Sequence, residues 1–305
     1  NIKRKNQISS FLRKSGVNAL FTIGELGANF SLPLLSWIPD FQHLHFPDFF
    51  SEEENSRRNR TFARSARHAK RIIVSSKSCY EDLRSFAPWA LDKARVLPFV
   101  AQIPSEVYNR HPKSICSKYN IPERYILLPN QFWKHKNHKV VIEALEKSVP
   151  LCPDLTIVCT GNTNEERDQS YFGHLLGLIS RAGVREQMVL LGLVPRDDLF
   201  SLMRQSMAVL QPSLFEGWST TVEEVKSLGK SIIVSDIPVH REQGALGAHY
   251  FDPHDADSLA DCLAKTFLSF RPGPDMKMEE LARESLRSRT SEFGRKFVEI
   301  VKEMM

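Results

Sequence analysis

Long apolar runs, paired cysteines and metal-ligand patterns are scarce in this sequence. No run of about 18 apolar residues occurs, so no segment is predicted to cross a membrane as a helix. The five cysteines show no Cys-x-x-Cys spacing, which favours reduced thiols in a cytoplasmic protein. His43 and His45 are close enough for a metal pair, but no third ligand follows at a suitable spacing. We therefore expect neither a membrane span nor a metal site.

The composition that remains is that of an ordinary globular protein. A length of 305 residues predicts two domains. The hydrophobic share of 42% and the charged share of 25% supply a sizeable core. The net charge of +5 favours acidic partners, which are nucleotide phosphates, anionic lipid or nucleic acid, without choosing among them.

Two charged segments bear on that choice of partner. Residues 2–15 are basic and predict a helix ended by Gly16, which is either solvated or in contact with an anionic membrane surface. Residues 51–70 are rich in arginine, but acids and bases are mixed and no aromatic residues are interleaved for base stacking. This second segment predicts a solvated helix, so nucleic acid is not an expected partner.

Short apolar runs alternate with helical segments along the whole chain. Strands are predicted at residues 19–23, 34–38 and 71–75, and again at 125–128, 155–160, 189–191, 208–211, 231–236 and at the start of 250–254, whereas 94–98 closes the first domain. This spacing is typical of βαβ units, which form parallel sheets covered by helices on both faces. Residues 99–115 contain two prolines and predict a linker.

Residues 212–236 combine a loop, a helix and a strand, and the chain is organised around them. Gly217 breaks regular structure in the loop and allows close backbone approach. Ser219, Thr220 and Thr221 are good N-cap types, and Thr220 with Glu223 fits a capping box. The helix carries an apolar stripe of Val222, Val225 and Leu228, and Gly229 ends it.

The two glutamates of this helix have different expected positions. At about 100° per residue, Glu223 lies opposite the apolar stripe, so it is predicted to face water or cap the helix. Glu224 lies at the edge of the stripe, where a carboxylate needs a partner that sugar hydroxyls could supply. Glu216 lies in the preceding loop. The helix N-terminus beside these carboxylates is suited to bind phosphate.

A second strand–loop–helix unit begins the second half of the chain. The strand at 125–128 is followed by the loop Pro-Asn-Gln-Phe-Trp-Lys-His-Lys-Asn-His at 129–138 and then by a helix. Lys136 lies just before that helix, where its charge can meet a diphosphate. Lys134 and His135 are interpreted as surface charge. The chain thus predicts two loops suited to a phosphorylated ligand.

These motifs together resemble a known family. Glu216 and Glu224 are separated by seven residues in the setting Pro-Ser-x-Phe-Glu-Gly, and Ser-Asp-Ile-Pro-Val-His-Arg-Glu follows at 235–242. The pattern resembles retaining GT-B glycosyltransferases of family 4 over about residues 34–290. The resemblance implies an α/β protein with two Rossmann-like domains facing a cleft. The implied domains are 1–104 on the acceptor side, 105–286 for the nucleotide sugar, and 287–305 as a helix crossing back to the first domain.

The resemblance also implies a donor site. Lys136 matches the family lysine that holds the diphosphate, whereas Gln131 stands where the family has an arginine. Glu224 would accept the ribose hydroxyls, Val194 would border the base, and Glu216 would bind the donor sugar or the charge at its anomeric carbon. The expected donor-binding residues are Gln131, Lys136, Val194, Glu216, Gly217, Trp218, Ser219, Thr220, Thr221 and Glu224.

The first domain departs from the family pattern in two places. Pro39 stands where many members carry a catalytic histidine, and His43 is expected to substitute for it. No glycine-rich loop is recognised after the first strand, so the N-terminal domain is expected to be incomplete and the chain truncated. The loop at 218–221 differs from the family's usual sequence, so a sugar preference does not carry over.

The expected activity is metal-independent transfer of a sugar, with retention of configuration, from a GDP- or UDP-sugar to a glycan or lipid-linked acceptor. Cell-surface polysaccharide synthesis in the cytoplasm, at the inner face of the membrane, fits this activity. No cofactor besides the nucleotide-sugar substrate is expected. Two alternatives stay open: a GT-B nucleotide-sugar epimerase, and a basic RNA- or lipid-surface-binding protein that only kept the fold.

Overall fold

The computed structural model describes residues 2–23 and 31–305, with side chains from residue 7 onward. The chain folds into two compact units. The first comprises residues 1–99, 216–218 and 288–305, and the second comprises residues 100–215 and 219–287. The sequence places the junction at 104/105 and the structure places it at 99/100. The segment after the first strand, where the glycine-rich loop was sought, falls at 24–30 and lies outside the described residues.

The first unit contains a four-stranded parallel sheet in the order β1-β2-β3-β4. Its strands are β1 (Leu20–Thr22), β2 (Leu34–Ile38), β3 (Arg71–Val74) and β4 (Ala94–Val96). Its helices are α1 (Ile2–Lys14), α2 (Gln42–His45), α3 (Glu52–His68) and α4 (Lys77–Phe86), with 3-10 turns at Pro47–Phe49 and Pro88–Lys93. Ser51 and Ser76 cap α3 and α4 with their side chains, which sets where these two helices begin.

Both faces of this sheet are covered by apolar side chains. One face packs Ile38, Ile72 and Val74 against α3 and α4. The other face packs Leu35, Ile73 and Leu97 against Ile300 and Met304 near the chain's C-terminus. Glu303 accepts a hydrogen bond from Arg71 Nε at 2.8 Å, and Arg95 and Arg71 hold the pKa of this carboxyl below its usual value. Residues 288–305 are therefore an integral part of the first unit.

The second unit contains a six-stranded parallel sheet in the order β10-β9-β8-β5-β6-β7. Its strands are β5 (Ile126–Leu128), β6 (Ile157–Cys159), β7 (Met188–Leu190), β8 (Ala208–Gln211), β9 (Ile232–Ser235) and β10 (Ala248–Phe251). The first helices are α5 (Glu106–Asn109), α6 (Ser114–Tyr119), α7 (His138–Ser148), α8 (Tyr171–Arg181) and α9 (Arg196–Gln205). They are followed by α10 (Thr220–Leu228), α11 (Pro238–Gln243), α12 (Ala256–Ser269) and α13 (Met276–Lys302), the last of which belongs to this unit only up to residue 287, and a 3-10 turn lies at Lys134–Lys136.

Two apolar cores cover the two faces of the second sheet. One is built on Ile126, Ile157 and Ile233 and includes α7 and α12. The other is built on Leu127, Val158 and Val209 and includes α9 and α10. The alternation of neighbouring strand residues between the two cores is the pattern expected of a fully covered parallel sheet. The predicted α/β class with two Rossmann-like domains is thus confirmed.

A buried ion pair ties the start of α13 to the second unit. Arg204 donates to both carboxylate oxygens of Glu279, at 2.6 and 3.0 Å, and both side chains are almost fully buried. The same guanidinium also donates to the carbonyl of Val107 at 2.9 Å. The predicted linker at 99–115 is therefore more ordered than expected, because α5 and the start of α6 are held in place there.

Candidate active site

The order of strands in the second sheet marks a candidate site at its carboxyl edge. Within this sheet β5 is the first strand in sequence and lies near the centre. The next strands, β6 and β7, extend the sheet on one side of β5, and β8, β9 and β10 then extend it on the opposite side. Strands β5 and β8 are paired, yet the connection after β5 leads to β6 on one side of this pair and the connection after β8 leads to β9 on the other. In open α/β sheets ligands bind in the crevice at such a switch point. The loops after β5 and β8 are the two loops in which the sequence predicts phosphate contacts.

A chain of buried polar side chains fixes these two loops. Asn130 Nδ2 donates to Gln211 Oε1 at 2.8 Å, and Gln211 Nε2 donates to Ser213 Oγ at 3.0 Å. Ser235 Oγ then donates to the carbonyl of Ser213 at 2.6 Å. All four side chains are buried, and a satisfied buried network of this kind holds its members in one arrangement. The sequence analysis did not identify these residues.

Gln131 and Lys136 lie at the two ends of the loop after β5. Gln131 Oε1 accepts a hydrogen bond from the backbone N–H of Asn162 at 2.6 Å, so this side chain joins the loops after β5 and β6. Lys136 is half-buried and ends the 3-10 turn. Asn137 follows in the left-handed conformation, and its side chain donates to the carbonyls of Pro212 and Pro253. Lys136 is thus held near the loop after β8 by its neighbour in sequence.

His138 is a buried neutral residue next to this loop. Its ring is fully buried and stacks on Phe132 with a centroid distance of 4.3 Å. Burial, with smaller contributions from Lys136 and His135, lowers the pKa of His138 to about 3. The ring therefore stays uncharged at neutral pH and adds no positive charge to the site.

The N-terminus of α10 is built differently from the prediction. Ser219, not Thr220, is the N-cap, because its Oγ accepts from the backbone N–H of Val222 at 3.4 Å. The N–H of Ser219 donates to Gln243 Oε1 at 3.2 Å, and Gln243 Nε2 donates back to the carbonyl of Ser219 at 2.9 Å. In this conformation the amide of Ser219 is therefore already hydrogen-bonded. Gln243 positions the helix start, which no local sequence pattern indicated.

The prediction that Glu223 faces water is wrong. Its side chain is 1% exposed, and its Oε1 accepts from Lys226 Nζ at 2.8 Å and Gln243 Nε2 at 3.4 Å. The helical-wheel argument assumed a single buried face. Helix α10 packs on β8 through one face and on α11 through another, so the second face is also removed from water.

Glu224 is buried at the rim of the apolar face, and it has a charged partner. Its Oε1 accepts a hydrogen bond from Arg196 at 3.1 Å. Burial raises the pKa of Glu224, and the charge of Arg196 partly offsets this effect. Arg196 is the first residue of α9 and follows Val194, which is half-buried at the exit from β7. The structure thus supplies the partner that the sequence analysis required but did not name.

Glu216, Gly217 and Trp218 belong to the first unit. A Cβ on Gly217 would lie 2.1 Å from the carbonyl oxygen of Pro39, so this close approach requires glycine. Trp218 is buried, and its Nε1 donates to the carbonyl of Phe99 at 3.1 Å. The side chain of Trp218 is therefore used for packing, and Glu216 is half-buried.

His43 is enclosed by aromatic rings in the first unit. It is 2% exposed, its Nε2 lies 3.0 Å from Asn59 Oδ1, and the ring packs against Phe41, Phe50 and Phe62. Burial is also the main cause that lowers its pKa. This geometry is that of a packed structural histidine and does not favour the predicted catalytic role, which stays untested.

The described residues show neither a metal-ligand cluster nor a membrane-spanning helix. Across residues 2–23 and 31–305, no three side chains of the metal-binding types come together as a potential ligand set. Within the same ranges, no helix is both long and apolar enough to cross a membrane.

The fold indicates the class of protein. Two parallel α/β units of this kind are shared with GT-B glycosyltransferase structures. Residues 116–283 match the family described as glycosyl transferases group 1, and they make up more than half of the chain. The chain belongs to this family.

One curated relative is the O-antigen chain mannosyltransferase RfbU of Salmonella typhimurium, with 25% identity over 224 residues. The alignment covers 72% of this chain and 57% of the relative, so this chain spans little more than half of that relative's length. Similar structures include a glycosyltransferase from Rickettsia africae, with 19% identity, a TM-score of 0.74, and coverage of 99% of this chain and 81% of that one. Anabaena Alr3699/HepE in complex with UDP and glucose has 15% identity, a TM-score of 0.71, and coverage of 97% and 81%. At these identities the structures show the fold alone.

Proposed function

We propose that this chain is a retaining glycosyltransferase that moves a sugar from a GDP- or UDP-sugar to a glycan or lipid-linked acceptor during synthesis of a cell-surface polysaccharide. Family membership supports glycosyl transfer. The name of the Salmonella relative, an O-antigen chain mannosyltransferase, supports a polysaccharide product and mannose as a candidate sugar. The observation that carries the proposal is the buried Glu224 on the helix that leaves β8 at the topological switch point.

The proposed donor site lies on the second unit. Lys136 and the first backbone amides of α10, those of Thr220 and Thr221, bind the diphosphate together with the helix dipole. The amide of Ser219 is not included, because Gln243 already accepts its hydrogen bond. As the glycosidic bond to the diphosphate breaks, these groups stabilise the negative charge that develops on the leaving group. No metal ion is required for this step.

Glu224 and Val194 complete the nucleotide site in this proposal. A carboxylate accepts hydrogen bonds from two hydroxyls, which suits the 2′- and 3′-hydroxyls of a ribose. Val194, at the exit from β7, borders the base. Gln131 stabilises the site indirectly through its hydrogen bond to Asn162. The roles of Glu216 at the donor sugar and of Gly217 beside it stay sequence-based predictions.

The two alternatives are not favoured. The family match and the names of the similar proteins above are those of glycosyltransferases, rather than of an epimerase or an RNA-binding protein. A basic surface protein that binds nucleic acid would lose affinity steeply with added salt, whereas a nucleotide pocket saturates at one ligand per chain and discriminates among bases. Peripheral contact with an anionic membrane is compatible with the proposal. Helix α1 carries five basic residues and no acidic residue, and Phe11 on it is 68% exposed.

The test is nucleotide binding by the wild-type chain and by Glu224→Gln, measured by calorimetry after a thermal-shift screen of nucleoside diphosphates. We expect one site per chain for UDP or GDP and an affinity at least about tenfold lower in the variant, because a charged acceptor is lost. Glu143→Gln on the exposed face of α7 is the matched control and should bind as wild type does. Unchanged affinity in Glu224→Gln would refute the site. NMR of the anomeric proton of the product tests retention.

A further inference from the structure

The pair of Arg196 and Glu224 is unequal in its exposure. The side chain of Arg196 is 61% exposed, whereas that of Glu224 is 7% exposed. The two residues are 28 positions apart and lie on different helices, so the contact is made by the tertiary fold and not by helix periodicity. Within the described part of the chain, the hydrogen bond that Glu224 accepts from a side chain comes from Arg196. An exposed arginine therefore contacts a buried carboxylate.

Arg196 is also held on its other side. Its guanidinium carbon lies 5.1 Å from the centroid of the buried Phe200 ring, one turn further along α9. A guanidinium that covers an aromatic face has a restricted position, and this restriction lowers the entropy cost of holding Glu224. Five N–H donors belong to a guanidinium, so most of them remain available to other groups after the bond to Glu224.

We propose that Arg196 is a positioning residue of the donor site, which keeps Glu224 ionised and oriented so that this carboxylate can bind the ribose hydroxyls of a nucleoside diphosphate. The inference rests on the proposed function, because it assumes that Glu224 contacts the ribose. A protonated carboxyl would offer a donor and one strong acceptor fewer, so it would bind a pair of hydroxyls less well. Arg196 thereby determines the preference for a ribonucleotide over its 2′-deoxy counterpart.

The charges around Glu224 give this role a pH dependence. Arg196 faces it from α9. On α10 itself, Glu223 is paired with Lys226, and Gln243 of α11 donates to the same carboxylate. Strand β8 brings no charged residue. Without Arg196, burial acts on Glu224 unopposed and its pKa rises further. Binding that needs the ionised form is then lost at a higher pH than in the wild type.

The experiment measures affinities for UDP, GDP and their 2′-deoxy forms by calorimetry, from about pH 4.5 to about pH 8. It compares the wild type with Arg196→Met and Arg196→Lys. The control is Arg110→Met, which removes an exposed arginine that is paired with Asp197, the neighbour of Arg196 on α9. We expect the wild type and the control to prefer the ribonucleotide about tenfold, which is the worth of one charge-assisted hydrogen bond. Arg196→Met should lose most of this preference and need a higher pH to bind, and Arg196→Lys should recover part of both.

The outcomes separate this inference from the proposed function. If the wild type binds no nucleoside diphosphate, the proposed function fails and this inference fails with it. If the wild type binds and Arg196→Met weakens both forms equally with an unchanged pH profile, Arg196 contacts the phosphates or the base and the positioning role is refuted. An affinity equal to wild type in Arg196→Met refutes it as well. Arg196→Met leaves Glu224 buried without its partner, so this variant should melt below the wild type, and a ligand-free thermal scan checks that it is folded at the temperature of the binding assay.

Discussion

Gly161, just after β6, is the position where a single methyl group should damage the candidate site most directly. A Cβ built there would lie 2.2 Å from the carbonyl oxygen of Asn130 and 2.9 Å from the backbone nitrogen of Gln131. Both are main-chain atoms of the loop after β5, so neither can rotate away. The φ angle of Gly161 is 140°, a region that residues with a Cβ rarely adopt. Gly161→Ala must therefore displace the loop that carries Asn130, Gln131 and Lys136.

The expected cost follows from these two effects. An unfavourable backbone conformation costs about 1–3 kcal/mol, and overpacking against a fixed neighbour costs about as much again. A total of roughly 2–6 kcal/mol, with a centre near 4 kcal/mol, lowers the melting temperature by about 8–16 °C at that centre for a domain of this size. Gly173→Ala in α8 is the matched control, because nothing lies within 4 Å of its Cβ. Helix propensity predicts a gain of about 0.5–1 kcal/mol for that change.

The assay is thermal unfolding of the two variants beside the wild type, with nucleotide affinity measured on each. Opposite shifts of the melting temperature are the expected result, together with weaker UDP or GDP binding in Gly161→Ala alone. A Gly161→Ala chain that melts and binds as the wild type does would show that the loops after β5 and β6 are not packed as described. The close contact used here would then be wrong.

Two further predictions concern regions away from the site. Glu279→Gln leaves the buried guanidinium of Arg204 without its counter-charge, so the free energy of unfolding from chemical denaturation should fall by about 3–5 kcal/mol. Glu280→Gln, at the exposed neighbouring position, should change it very little, and equal effects of the two variants would contradict the buried pair. The protein should bind vesicles that contain phosphatidylglycerol through α1, and added salt should weaken this binding. Phe11→Ser should co-sediment less with these vesicles, and equal co-sedimentation of the wild type with phosphatidylcholine vesicles would contradict the membrane contact.

The sequence predicted the architecture well because parallel strands carry a strong local signal. Runs such as Ile126–Leu128 and Ile232–Ser235 are short, apolar and bounded by turns, and helical segments separate them at regular intervals. A strand buried on both faces has to be apolar throughout, so its pattern does not depend on which neighbour it pairs with. The parallel pairing in both units is confirmed.

The details of α10 were harder to predict because they depend on partners distant in sequence. Ser219 replaces Thr220 as the cap, since Gln243 holds Ser219 by two hydrogen bonds from 24 positions away. Glu223 is buried by contacts with α11, which a helical wheel does not contain. Arg196 was missed for the same reason. A partner for Glu224 was expected, but nothing in a single sequence specifies which arginine the fold will bring to it.

The charge balance of the second unit decides how its site can hold a diphosphate. Gln131 carries a neutral amide, and that amide already accepts a hydrogen bond from the backbone of Asn162. His138 adds no charge at neutral pH, because burial lowers the pKa of its ring to about 3. Arg196 is paired with Glu224, so its charge is largely offset by that carboxylate. Within the proposed site the diphosphate then depends on Lys136 and on the backbone dipoles of α10, whose strength does not change with pH. Burial raises the pKa of Glu224, so nucleotide binding should weaken as the pH falls and this carboxylate is protonated, in addition to any effect of protonating the diphosphate itself.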